Sequence, residues 1–199
     1  MRRLFSPIGF ALALACFWLP FLLGGSASPN PIATVAPSIT YTGFDLALGG
    51  SADVLIPEWR PDSNSYDPVP VSDELMYGHP QQQLAGSVYG VVALALIGVG
   101  ILASLIPVGR ARAIVSAAAA LLGALAVLAL EAAQRREVAR LLTPLLGYPA
   151  TVPPPVQFVS LMAGFWIAMT FLVVIGLAHV IAAVPAQTAP VAPTLRAST

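Results

Sequence analysis

Hydrophobic positions along the chain gather into four long runs, at residues 4–23, 85–108, 113–133 and 156–184. Each supplies the roughly 20 apolar residues that a helix needs to cross about 30 Å of hydrocarbon. The pattern predicts an all-α membrane protein with four transmembrane helices. Only Gly109-Arg110-Ala111-Arg112 separates the second run from the third, so these two form an antiparallel hairpin. The third helix is expected to extend to about residue 142. Glu131 and Arg135 stand four apart in the favourable acid-first order, and Glu137 and Arg140 stand three apart. Pro144 and Gly147 then end it, with Leu141, Leu142, Leu145 and Leu146 suited to an interface. Pro153-Pro154-Pro155 stiffens the approach to the fourth helix.

Residues 24–84 read differently, being rich in Pro, Ser, Asp and Gly. Ser38-Ile39-Thr40-Tyr41-Thr42 alternates as a strand does, and Gly43 breaks the alternation. The remainder, punctuated by Pro57, Pro61, Pro68, Pro70 and Pro80, is expected to be a long, mostly irregular extracytoplasmic loop. Such a segment buries little core alone and must pack on the helices or on a partner. Residues 185–199, rich in Ala, Pro and Thr, are expected to form a disordered cytoplasmic tail.

Composition agrees with the membrane reading. Of 199 residues, 57% are hydrophobic and 9% charged, against about 25% charged in a typical soluble domain; the mean hydropathy is +0.83. Arg2 and Arg3, the first apolar run and Gly24-Gly25-Ser26-Ala27-Ser28 also describe a secretory signal peptide. The run exceeds the roughly 7–15 residues of a signal core, and Trp18 and Phe21 suit an aromatic belt. An uncleaved signal anchor over 4–23 is therefore expected, with Pro20 in its last turn. Ala13-Leu14-Ala15-Cys16 is a weak lipoprotein signal, because Ala stands three before the cysteine where Leu belongs. Cys16 is the one cysteine, which excludes an internal disulfide and leaves a small buried hydrophobe as its expected role.

A formal net charge of zero hides segregation. Placing Arg2, Arg3, Arg110, Arg112 and Arg196 on the cytoplasmic side puts both termini there. Arg60, Arg135, Arg136, Arg140 and all nine carboxylates then fall outside. Residues 24–84 hold seven acids and one Arg, a balance of −6. An acidic loop of this kind attracts cations or a basic partner, and Arg135, Arg136 and Arg140 offer it an electrostatic clasp within the chain.

Candidate chemistry is sparse. There is no HExxH, no paired intramembrane aspartates and no Ser/His/Asp set. The buried charge pairs and interrupted helices of a transporter are missing too. His179, near the cytoplasmic end of the fourth run, is a weak candidate for holding a haem or chlorophyll. The other histidine, His79, falls on the opposite side, and Ile175 leaves no notch for a macrocycle. An interhelical or interfacial hydrogen bond is its expected role, and no cofactor or metal is expected. Asp62-Ser63-Asn64-Ser65-Tyr66-Asp67 begins like a calcium loop, but Asp67 stands where Gly belongs and Asp73 where Glu belongs, so a solvated acidic loop is expected. Small residues recur at helical spacing: Gly86 and Gly90 in the second run, Ala117, Ala120 and Ala124 with Ala113 and Gly123 in the third, and Ser160, Gly164 and Ala168 in the fourth. Such faces let helices approach closely, within the bundle or against another chain.

Leu19-Pro20-Phe21 followed by Thr40-Tyr41-Thr42-Gly43-Phe44-Asp45-Leu46-Ala47-Leu48-Gly49 resembles a loose group of uncharacterised bacterial four-helix membrane proteins. These share a Leu-Pro-aromatic turn after the first helix and a Gly-x-Asp-Leu-Ala-x-Gly segment. The resemblance covers the first 50 residues and the helix count, and implies architecture without an activity. The four-helix plan with a long first outer loop is also similar to that of claudin-like tetraspans, whose Gly-Leu-Trp motif and cysteine pair are absent here.

These readings point to a structural or accessory subunit of a complex in the inner (plasma) membrane rather than an enzyme. Its expected partners are the lipid bilayer and a membrane protein or second copy met through the small-residue helix faces; nothing suggests nucleic acid. The alternatives are a small transporter or channel component and a pigment- or haem-associated membrane protein.

Overall fold

The structure, a computed structural model, describes residues 5–25, 38–60, 65–70, 83–107, 109–145, 156 and 159–184. Most of these are helical, and a sheet joins the helices at one end. The first apolar run is not a single helix. Helix α1 (Phe5–Ala15) tightens into one 3-10 turn (Cys16–Trp18), and the chain continues as strand β1 (Pro20–Gly24). Pro20 is the cause: it lacks an N–H and forces the residue before it out of the helical region. Leu19 is accordingly extended, at φ −83° and ψ 158°, and its N–H closes the turn on Cys16 O at 2.9 Å.

The described residues of the loop expected to be irregular are mostly in strands, so a sheet accompanies the helices and the all-α expectation is corrected. β2 (Ser38–Thr42), helix α2 (Gly43–Leu48), β3 (Gly49–Ser51), β4 (Asp53–Arg60), β5 (Ser65–Pro70) and β6 (Gln83–Ala85) follow in order. Together with β7 (Val159–Leu161) they form an antiparallel five-stranded sheet, ordered β5-β4-β2-β1-β7, and a separate β3-β6 pair. Prolines hide these strands from sequence reading, since Pro cannot donate to a ladder. Pro68 and Pro70 are tolerated because β5 is an edge strand, and Pro57 lies beyond the stretch of β4 that pairs with β2. Asp62–Asn64, Asp73, His79 and residues 185–199, which carry the calcium-loop, second-histidine and tail expectations, lie outside the described residues.

The three remaining helices are α3 (Val88–Ala103), α4 (Gly109–Leu145) and α5 (Ala163–Ala183). Each differs from its apolar run at the ends. α3 stops at Ala103, and the chain turns before Gly109, so Gly109-Arg110-Ala111-Arg112 is the first turn of α4 rather than a linker. The fourth run starts as β7, which places Ser160 in a strand paired with Leu23.

α4 packs against both α3 and α5, and α1 packs against the same two helices. Of the four, α4 and α5 are long and apolar enough to cross a membrane; α1 with its 3-10 turn and α3 are apolar but shorter. Size sorts the side chains around this bundle. Ala93, Gly100, Ala120, Ala124, Ala168 and Gly176 are buried, whereas Val91, Leu102, Leu122, Leu125, Val174 and Ile181 are exposed. The centre between the small residues is filled by Phe10, Ile97, Val127, Leu130, Leu172 and Ile175.

Candidate functional site

Polar groups concentrate at the two ends of the bundle. At the sheet end the organising piece is α2, which carries the Gly-x-Asp-Leu-Ala-x-Gly segment, and its Asp, Leu, Ala and final Gly each have a physical role. Thr42 and Asp45 form a capping box: Asp45 N–H donates to Thr42 Oγ1 at 3.2 Å and Thr42 N–H to Asp45 Oδ2 at 2.9 Å. Such a box satisfies two of the donors that a helix start leaves open. Leu46 and Ala47 are buried, and the Ala47 backbone approaches Gly90 of α3 so closely that any Cβ there would collide with Ala47 Cα. Gly49 ends the turn at φ +87°, a conformation that favours glycine.

Helix α4 fastens this piece to the bundle. Gln134 is buried, and its Nε2 donates to Leu46 O and to Ala85 O, both at 3.1 Å. The next residue, Arg135, donates to Val159 O of β7 at 3.0 Å and pairs with Glu131 at 3.6 Å. Among the described residues, Arg135 and Arg140 pair with Glu131 and Glu137 of their own helix. Arg135 also covers part of the edge strand β7, where unpaired backbone groups invite association. Tyr41, buried beneath α2, has its phenol pushed well above the usual tyrosine range, first by burial and then by the charges of Asp45 and Glu137.

At the opposite end a chain of three side chains links α1, α3 and α5. His179 Nε2 lies 2.9 Å from Ser6 Oγ, which lies 2.8 Å from Ser104 Oγ, which donates to Gly100 O at 2.8 Å. Each hydroxyl has one proton. Ser104 uses its proton on Gly100 O, so Ser6 must donate to Ser104 and His179 must donate to Ser6. The geometry thus assigns the neutral ring its Nε2–H tautomer.

Of the residues singled out by small size, Ala117, Ala120, Ala124, Gly164 and Ala168 are buried against this chain's own elements. Gly86 precedes α3 and, like Gly90, serves α2, because a Cβ there would meet Leu48 O at 2.7 Å. Ser160 is exposed and takes no part in a helix face. His179 makes an interhelical hydrogen bond. Ser6 and Gln134 escaped the sequence reading. Gln134 could have been found: with Val127, Leu130 and Val138 it falls on one buried stripe of α4, where a lone polar residue needs a partner. Ser6 carries no such signal. Among the described residues no three His, Cys, Asp or Glu side chains gather closely enough to hold a metal. No protein-family model and no curated protein matches the chain.

Proposed function

We propose that the chain is a four-span protein of the inner (plasma) membrane, with both termini cytoplasmic, that serves as a structural or accessory subunit of a membrane complex. The observation that carries the membrane reading is the sorting of side chains by size: Gly and Ala face inward, while Val, Leu and Ile cover the outside. Water would penalise that arrangement, whereas lipid accepts large apolar groups outside and rewards close approach of small ones inside. Two boundaries support it. Trp18, Tyr89 and Trp166, exposed at the sheet-side ends of α1, α3 and α5, suit an aromatic belt. Arg112 and Glu131 bracket a stretch of α4 that rises roughly 28 Å at 1.5 Å per residue, about the thickness of the hydrocarbon core. The resemblance to four-helix bacterial membrane proteins supports the same count.

The subunit reading rests on where polar groups are. The buried polar side chains among the described residues are Ser6, Ser104, Ser116 and Gln134, and between the two ends the interior is apolar. That interior offers a solute no polar path. With its own small-residue faces filled, the chain presents large apolar faces and the sheet to a partner.

The test is purification from native membranes in mild detergent. A stoichiometric species larger than the chain, identified by mass spectrometry, is expected, and a lone monomer would overturn the subunit reading. Ser63→Cys checks the orientation: labelling by an impermeant thiol reagent in intact cells is expected, and protection would reverse the topology.

A further inference from the structure

We propose that the end of the bundle opposite the sheet binds a phosphate oxyanion through Arg112 and Ser116, beside the Ser104–Ser6–His179 chain. Ser116 is the first reason. It is fully buried, and its hydroxyl has no hydrogen-bond partner. An orphaned buried hydroxyl costs about 1–3 kcal/mol. Its direction follows from its helix. Ser116 stands two turns from Gly123, whose face meets Leu96 of α3 and Leu172 of α5 at 3.8 Å. Positions seven apart share a helix face, so Ser116 faces the seam between α3 and α5. Gly176 of α5 meets Ala120 of α4 at 3.6 Å. One turn further from the sheet brings α5 to His179 and α4 to Ser116, at the level where Ser104 caps α3.

Charge is the second, independent reason. Arg112, one turn further out on α4, is half-buried. Among the described residues it forms no ion pair, and residues 75–130 contain no Asp or Glu. A guanidinium and a buried hydroxyl one turn apart on α4 complement an oxyanion with several acceptor oxygens. The phosphate of an anionic lipid headgroup and free phosphate share that chemistry.

The lipid source rests on the four-span reading. The site itself does not, so the two fail separately. Full-length protein in detergent would be compared by native mass spectrometry with added phosphatidylglycerol or phosphatidylcholine, and by calorimetry with inorganic phosphate. One phosphatidylglycerol retained in preference to phosphatidylcholine is expected for a headgroup site; binding of inorganic phosphate alone would assign free phosphate. In either case Arg112→Gln should weaken binding about tenfold and Ser116→Ala, a benign change in an Ala-rich helix, about threefold, as losing a charged and a neutral hydrogen bond implies. Equal binding by the wild type and both variants, or no binding of either ligand, would overturn the proposal. A protein that stays dispersed without detergent would sink the four-span reading while leaving the phosphate measurement decisive.

Discussion

The bundle is closed at its two ends by different kinds of bond. At the sheet end, side chains of α4 reach backbone carbonyls: Gln134 to Leu46 and Ala85, Arg135 to Val159. At the other end, side chain meets side chain through His179, Ser6 and Ser104. A carbonyl is present whatever residue carries it, so the first closure tolerates change in the loop's side chains but demands that its backbone stay in place. The second demands three particular residues and asks little of the backbone. Glycine contacts fall accordingly. The approaches to other backbone lie at the sheet end, where Gly90 faces Ala47, Gly86 faces Leu48 O, and Gly164 stands 2.6 Å from Pro20 O at the Cβ position. Near the other end, Gly9 and Gly100 meet side chains that can give, Ile175 and Phe10.

The largest effect should come from breaking backbone proximity. Gly90→Val would drive a branched side chain into the Ala47 backbone and separate α2 from α3. Overpacking costs typically 1–3 kcal/mol, and more where backbone must move, so a loss of about 3 kcal/mol or failure to fold is expected. Thermal unfolding in detergent would show it; a wild-type melt would mean that α2 is not held at α3. Next comes Gln134→Leu, which keeps the volume but strips a buried carbonyl, Leu46 O, and a part-buried one, Ala85 O, of a donor. About 2 kcal/mol should be lost. Tyr41 adds a pH dependence at this end alone. Its folded-state phenol holds its proton above the unfolded value, so its contribution is full below about pH 10 and is lost as pH rises past that point. Melts between pH 9 and 11.5 should fall more steeply for the wild type than for Tyr41→Phe.

How much of this was legible differs between the ends. The apolar runs announce the helices, and the Glu131–Arg135 and Glu137–Arg140 spacings place two ion pairs on α4. The strand at Ser38–Thr42 shows its alternation, with Ile39 and Tyr41 buried. The rest of the sheet was hidden because β4 and β5 carry three prolines, whose tolerance depends on which strand is at the edge, a fact of tertiary order alone. Pro20 is visible in the sequence, but it turns the chain from helix to strand rather than fraying a last turn. At the other end His179 could be singled out from sequence, whereas Ser6 lies far from it along the chain and no local pattern joins them.

Smaller effects refine the comparison. Thr42→Ala removes the cap of α2 and should cost about 1 kcal/mol. The loss should be matched by Asp45→Ala and not doubled by the pair, because both residues serve one box.

The smallest effect belongs to the side-chain closure. Hydrogen bonds between helices in a bilayer average about 0.6 kcal/mol, since the separated helices find other partners. His179→Phe should cost about that much, and Ser6→Ala the same. The double variant should cost little more than either, because the chain runs through Ser6 and breaks once. His179→Gln tests the assigned proton. Its amide NH2 can replace the Nε2–H donor, so it should retain most of the stability that Phe loses. If Gln is as damaging as Phe, the ring itself rather than its donated proton holds α5 to α1, and the two ends of the bundle are less different than their hydrogen bonds suggest.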